Sequence, residues 1–297
     1  MSSDSLPHRF TYQTQRTWSS WLWSAWLLVP GTVRHRVYCA LVRYVGKRQQ
    51  TSPAYRLPLG IYVKFCRLPD EALVMEYVRT QTTIPVPQVL DHITTAASFE
   101  PDNRLFLLVM TALPGAPLFV QGTISRLVHA TDEQRCLLET TIADWISQLR
   151  ALSPPHPHHV SGFMGGPFLS YRIGHHPVGP FANVAQFHAQ PFCTVWTKNP
   201  DDRIQSLIAD RAAREYRVHL THGDLLPHNI MTDGACRATG LIDWECAGWM
   251  PEYWELASST RVPFQRMYAW RNMYPLCFPR YDDDLTLELQ IQKYWDP

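Results

Sequence analysis

The alternation of apolar and polar positions changes character partway along the chain. Between Leu57 and Met110 it comes in short β-branched and aliphatic runs, GIYVKF and RLFLLVM, each with the length and composition of a strand. A helical stretch from Glu71 to about Thr80 separates them, so the predicted order is strand, helix, strand. IPVPQVL carries Pro85 and Pro87, whose rings rule out continuation of that helix and send the chain extended toward the next strand. After LPGAP at residues 113–117 the period lengthens to three and four. Leu137, Leu138, Ile142, Trp145, Ile146 and Leu149 then mark the core face of a helix over Glu133–Leu152. A second helix is expected over roughly Asp202–Tyr216, and NIMT and TGLIDW are candidate strands joined by a turn at Asp233-Gly234. Residues 153–192, rich in Pro, Gly and His, predict a long ordered excursion over the surface. The pattern divides the chain into residues 1–112, sheet with a helical extension at its start, and residues 113–297, mainly helical.

Composition narrows what this chain can do. It has 297 residues, 45% of them hydrophobic, enough for one large domain or two lobes around a cleft. With 27 Lys and Arg against 26 Asp and Glu, no broad field draws nucleic acid or an anionic surface, so partners have to be argued from a site. Seven cysteines, widely spread and without a Cys-x-x-Cys pair, predict reduced, mostly buried thiols in a cytoplasmic protein. The apolar run from Trp18 to Val29 is 12 residues long, well under the roughly 20 that span a bilayer. It predicts a helix packed on the main body, with no stable membrane insertion. No internal repeat or long low-complexity stretch is present.

The candidate chemistry is concentrated in residues 219–249, HLTHGDLLPHNIMTDGACRATGLIDWECAGW. The hairpin just described would place Asn229 at the start of one strand and Asp243 at the end of its partner, both beside Asp224. Phosphoryl transfer needs such a group: an Asp to orient and deprotonate the attacking hydroxyl, and an Asn and a second Asp to hold magnesium on the phosphates. Taken singly, His222 reads equally as a core histidine, Asn229 as a turn residue and Asp243 as a strand-end cap. Together they read as a site, because an Asp between Ile242 and Trp244 needs a polar partner if it is buried.

HGDLLPHNI followed by LIDWE resembles the aminoglycoside phosphotransferase and choline kinase-like family, which is related in fold to protein kinases. The resemblance implies an α+β, two-lobed protein-kinase-like fold, with a small antiparallel sheet and one key helix in the N-lobe and a larger, mainly helical C-lobe. It further implies that Asp224 is the catalytic base, that His222 buttresses the loop, that Asn229 and Asp243 are the Mg2+ ligands, and that the chain uses ATP. Such a centre requires an upstream Lys for the phosphates and a helical Glu to hold it. Lys64, a lone charge in GIYVKF, and Glu71 answer that requirement, with Glu76 the second choice for the acid. RLFLLVMTALPGAPL resembles the last N-lobe strand and interlobe hinge, whose backbone near Met110 to Leu113 would bond the adenine edge. There is no Gly-x-Gly-x-x-Gly before Lys64, only RLPLG, and that loop receives no assigned contacts.

Pro251-Glu252 follows Asp243 after only seven intervening residues, leaving no room for a peptide-binding platform and pointing to a small-molecule hydroxyl acceptor. Trp249, Tyr253, Trp254, Tyr268, Trp270 and Tyr274, with Glu252 and Glu255, are candidates for its pocket; the competing reading is that most are core aromatics. PEYWE resembles fungal members of the family. A nucleotide-binding pseudokinase and an atypical protein kinase are the alternatives. His156, His158, His159, His175 and His176 read as solvated loop residues, and Asp282 to Asp284 as a solvated face or a helix start.

Overall fold

A computed structural model describes residues 18–49, 52–94, 106–120, 126–195, 200–259, 278 and 281–293, with side chains from residue 21 onward. Two helices come first, α1 (Trp18–Leu27) and α2 (Gly31–Val45), followed by β1 (Lys47–Arg48), β2 (Ala54–Leu57), β3 (Ile61–Cys66), α3 (Asp70–Gln81), β4 (Val89–Thr94) and β5 (Phe106–Thr111). The five strands form one antiparallel sheet in the order β1-β2-β3-β5-β4. Strand geometry sends alternate side chains to opposite faces. On β3, Val63 and Phe65 pack with Tyr38 and Val42 of α2, while Cys66 packs on the other face with Ala72 and Met75 of α3. Lys64 shares the α3 face, and this alternation is what aims its ammonium inward. The Trp-bearing run is a helix packed on the body, as expected: Trp23 Nε1 donates to Leu90 O and Trp26 Nε1 to Tyr38 Oη, which in turn donates to Asp91.

The remainder of the chain starts with β6 (Ala116–Pro117) and α4 (Asp132–Ala151), and continues through β7 (Ser161–Gly162), β8 (Phe168–Ser170), β9 (Gly174–Val178), α5 (Val184–His188) and α6 (Asp202–Ala213). β10 (Val218–Thr221), β11 (Ile230–Thr232), β12 (Ala238–Leu241), β13 (Gly248–Pro251), α7 (Trp254–Ser259) and α8 (Asp282–Gln292) complete it. α4 begins in a capping box, Thr131 accepting from Gln134 N–H while the Gln134 side chain accepts from Thr131 N–H. Its core face holds Leu138, Ile142, Trp145, Ile146 and Leu149, but Leu137 is 49% exposed. One residue's step, about 100° around the helix, rotates Leu137 off the face that Leu138 anchors.

Residues 153–192 carry more structure than expected. The β8–β9 hairpin and α5 bring Phe168, Phe181, Phe187 and Phe192 together, with Phe187 edge-on to Trp254. Trp249, Tyr253 and Trp254 are buried in the same core, and the second reading of these aromatics is correct. Tyr268, Trp270 and Tyr274 lie outside the described residues. Of the acidic run, Asp282 and Asp283 are exposed at the start of α8, but Asp284 is buried, reached by Arg211, Arg214 and Tyr216. One turn further, buried Glu288 takes both Arg172 and Arg211 at 2.7 Å. Among the described residues no helix is long and apolar enough to cross a membrane.

Removing one member of a buried ion group leaves the others uncompensated, at a cost of about 3–5 kcal/mol. Glu288→Ala is expected to lose stability in that range in chemical denaturation, while Asp283→Ala, at an exposed position of the same helix, stays within about 0.5 kcal/mol of the parent.

Candidate active site

β10 runs directly into His222-Gly223-Asp224, and three contacts shape that turn. Gly223 has φ +77°, and a Cβ there would sit 2.2 Å from the carbonyl oxygen of Cys246, so the position requires glycine. Glu255, buried on α7, accepts the backbone N–H of His222 at 2.6 Å and of Gly223 at 3.1 Å. Burial pushes its carboxyl up to about 7 against the pull of those two amides. His222, fully buried, has its Nε2 3.0 Å from the Ile242 carbonyl, and its Nδ1 accepts the Asp224 N–H at 3.3 Å. One ring nitrogen thus donates and the other accepts, the pattern of a neutral imidazole. Burial lowers its pKa to about 4, the nearby Asp224 opposing.

Asn229 donates through Nδ2 to the Asp224 main-chain oxygen at 2.8 Å and to its Oδ2 at 3.0 Å. That orientation leaves Asn229 Oδ1 without a partner among the described residues. β11 pairs with β12, Ile230 opposite Leu241, and Ile242 N–H continues the ladder to Asn229 O at 3.0 Å. The expected hairpin therefore exists and brings the chain of Asp243 beside Asn229. β12 ends before Asp243, which adopts the left-handed conformation, φ 69° and ψ 64°. A non-glycine residue held there is strained, and such strain concentrates at functional sites.

From that turn Asp243 reaches Lys64 of β3 in an ion pair. Lys64 Nζ also donates to Glu71 of α3 at 2.8 Å and lies 3.4 Å from Glu245. Burial disfavours the Lys64 ammonium, but the three carboxylates outweigh it and hold its pKa well above the ordinary value. Burial and the neighbouring acids push Glu71 up to about 7 despite Lys64. Lys64, Glu71 and Asp243 are thus one group; Asp224, His222 and Asn229 form a second, joined to it through Ile242. The runner-up acid, Glu76, points elsewhere and pairs with Arg79.

Of the two residues expected to meet the adenine edge, Met110 is in β5, paired with Tyr62 and Val89, while Leu113 follows the strand and its backbone bonds to none of the described residues. The β2–β3 connection is a three-residue turn, Pro58–Gly60, with Leu59 exposed at its tip.

Two site residues are absent from the sequence-based assignments, and a third has a different role from the one expected. Glu245 was visible inside LIDWE, two positions past Asp243 and hence able to face the same space; its partners are Lys64 and the Tyr171 hydroxyl. Tyr171 lies in the supposed surface excursion and gave no signal. Glu255, expected near an acceptor, instead caps the loop from within the core. Glu252 accepts from the Tyr281 hydroxyl at 2.9 Å and from the Arg217 backbone N–H at 3.4 Å.

The donor set fits a hard divalent cation. Carboxylate oxygens of Glu71, Asp243 and Glu245 lie within 4.8 Å of one another. Lys64 pairs with each of these three acids, so the cluster holds more carboxylates than its one ammonium balances, and its donors, like Asn229 Oδ1 in the neighbouring group, are the hard oxygens that magnesium takes.

Comparison with known proteins gives a family and a fold. A family model described as phosphotransferase enzyme family matches residues 19–274. Among solved structures, aminoglycoside phosphotransferase APH(4)-Ia is similar over 86% of this chain and 88% of its own, at 18% identity and a TM-score of 0.51. A thermostable mutant of that enzyme, in ternary complex with AMP-PNP and hygromycin B, is similar over 84% and 83%, at 15% identity and 0.52. The GDP complex of wild-type aminoglycoside 2'-phosphotransferase-IIIa is similar over 86% and 96%, at 13% identity and 0.52. At these identities the likeness is one of fold, and the fold is the two-lobed kinase-like one. No curated protein matches the sequence.

Two outcomes follow from the loop geometry. Gly223→Ala should lose at least about 2 kcal/mol in denaturant titration, since it imposes both a strained backbone and a clash with a carbonyl. His222, ordinarily near 6.5 and here near 4, contributes stability that is complete above pH 6.5 and lost as pH falls toward 4. Wild type should therefore lose stability faster than His222→Gln across that window, by at most about 1.4 kcal/mol per pH unit; parallel curves would refute the assignment.

Proposed function

The chain belongs to the phosphotransferase enzyme family, and from that premise we propose that it moves the γ-phosphoryl group of ATP to a hydroxyl of a small molecule. The observation that carries this reading is the pairing of Asp224 with Asn229 on a loop whose partner strand delivers Asp243 to Lys64. In this reaction Asp224 accepts the proton of the acceptor hydroxyl as its oxygen bonds to the γ-phosphorus, and the bond to the β–γ bridging oxygen breaks to release ADP. Asn229 holds the Asp224 carboxylate in place, and His222 braces the loop from the side of Ile242. Lys64, positioned by Glu71, meets the α- and β-phosphates, and the backbone from Met110 to Leu113 receives the adenine edge. Magnesium, when held by Asn229 Oδ1 and Asp243, would supply positive charge against the phosphate oxygens. In this scheme residues 1–112 form the nucleotide lobe and residues 113–297 the catalytic and acceptor lobe.

Nucleotide use is supported by relatives solved with AMP-PNP and with GDP, which makes GTP the second donor to try. A small acceptor is supported by hygromycin B in one of them. The course of the chain after Asp243 supports it independently. That segment turns at once into β13, which lies between β10 and β7, so the stretch on which a peptide would rest is a central strand of the C-lobe. A nucleotide-binding scaffold without transfer is the second reading, favoured by the short Pro58–Gly60 turn in place of a glycine-rich phosphate clamp.

The test is a comparison of wild type with Asp224→Asn on a panel of hydroxylated metabolites and aminoglycosides, with ATP or GTP and magnesium. Asp224→Asn should lower turnover by about 10²–10⁴-fold while leaving the nucleotide-induced rise in melting temperature intact, and Asp243→Ala should abolish the magnesium-dependent part of that rise. Unchanged turnover in Asp224→Asn would remove it as the base; a nucleotide shift with no phosphorylated product across the panel would select the scaffold reading.

A further inference from the structure

The two N-terminal helices leave an unusual surface. α2 buries Tyr38 and Val42 against the sheet, yet its neighbouring positions Val33, Val37, Leu41 and Tyr44 are exposed. At 3.6 residues per turn these four lie within roughly 80° of arc, a continuous apolar stripe. α1 exposes further large apolar side chains: Trp23 and Trp26 pack inward, but Trp21 is 66% exposed, Leu22 76% and Leu28, just past the helix, 86%. Arg36 and Arg43 border the stripe on one side, and Lys47 and Arg48 continue beyond the end of α2, all four exposed and in no ion pair among the described residues. Between Asp4 and Asp70 the sequence holds no Asp or Glu at all. A chain of near-neutral total charge has therefore gathered an acid-free, basic and tryptophan-bearing stretch at one place, and the acid that reaches α2 from β4, Asp91, is buried against Arg34 and Tyr38.

We propose that this face docks on an anionic lipid surface, with α1 and α2 lying in the headgroup plane. Trp21, Leu22 and Leu28 would enter the boundary between headgroups and acyl chains, where the amphipathic indole is favoured, and Arg36, Arg43, Lys47 and Arg48 would meet lipid phosphates and carboxylates. A second copy of this chain is a poorer occupant, because it would present the same sign of charge. The face is also free of the cleft: Val63 and Phe65 point toward α2 while Lys64 points the opposite way from the same strand. Docking thus leaves the active site open to nucleotide.

The experiment is co-sedimentation of the full chain with vesicles of one part phosphatidylserine to three parts phosphatidylcholine, beside vesicles of phosphatidylcholine alone. Binding is expected on the mixed vesicles and not on the neutral ones, and should fall as salt shortens the reach of the charges. Trp21→Ser with Leu22→Ser should lower the partition about tenfold, and Arg36→Gln and Arg43→Gln about fivefold each. Both pairs are exposed, so their melting temperatures and nucleotide-induced shifts should match wild type. The proposal is overturned if the chain stays in the supernatant with mixed vesicles at low salt, if neutral vesicles bind equally, or if neither pair of substitutions weakens binding. It is equally overturned if sedimentation equilibrium shows a dimer that Trp21→Ser dissolves.

Discussion

The buried ammonium of Lys64 is the charge on which the two lobes are registered. Its three partners come from two places: Glu71 from the helix beside it, and Asp243 and Glu245 from the turn after β12, 179 positions along the chain for Asp243. Burial penalises the ammonium, and the C-lobe turn supplies two of the three carboxylates that offset it. Asp70 adds a neighbouring tie, accepting the Met164 N–H at 3.0 Å from the first turn of the same helix. The helix that follows β3 thus begins with two acids, one holding the lysine and the other holding the opposite lobe.

The loop carrying Asp224 depends on groups that do no chemistry themselves. Glu255 gathers two consecutive amides, Gly223 supplies a backbone turn that no side chain could occupy, and neutral His222 spans from the loop to Ile242. Glu255 and His222 satisfy polar groups that burial would otherwise leave unpaired. Trp244 closes the packing, its ring 4.6 Å from the imidazole. The loop and the turn after β12 therefore support each other, which explains why HGD and IDWE occur as a pair in one chain.

Much of this was legible because the chemistry is local in sequence. HGDLLPHNI and LIDWE carry their meaning within a few residues, and Lys64 stands out as the one charge in an apolar strand. The α4 boundaries fell within a residue of the pattern, since three- and four-residue spacing is a strong signal; Leu137 was misplaced because two adjacent leucines cannot both face the core of one helix. α2 escaped notice because GTVRHRVYCALVRYV mixes basic and β-branched residues and buries little besides Tyr38 and Val42. In residues 153–192, proline and glycine masked short strands and the helix α5, whose Phe187 packs edge-on against distant Trp254. Glu255 was unreadable for a different reason: its partners are backbone amides, which leave no mark in a sequence. The PEYWE aromatics were ambiguous because a pocket and a core draw on the same residue types.

The unequal burial of the three acids around Lys64 gives them different work in the proposed reaction. Glu71 and Glu245 are 2% and 6% exposed at the side chain and have nowhere else to turn, whereas Asp243 is 21% exposed and sits on a strained left-handed residue. Of the three, Asp243 is the one able to exchange its partner. Letting go of Lys64 would free its carboxylate for a cation brought in with the phosphates and free one side of the ammonium for the phosphate oxygens, with Glu71 still fixing Lys64 in place. The excess of negative charge in the cluster favours that exchange, since every added positive charge relieves it. Glu245, tied also to the Tyr171 hydroxyl, would then keep Lys64 from following Asp243 out of the core.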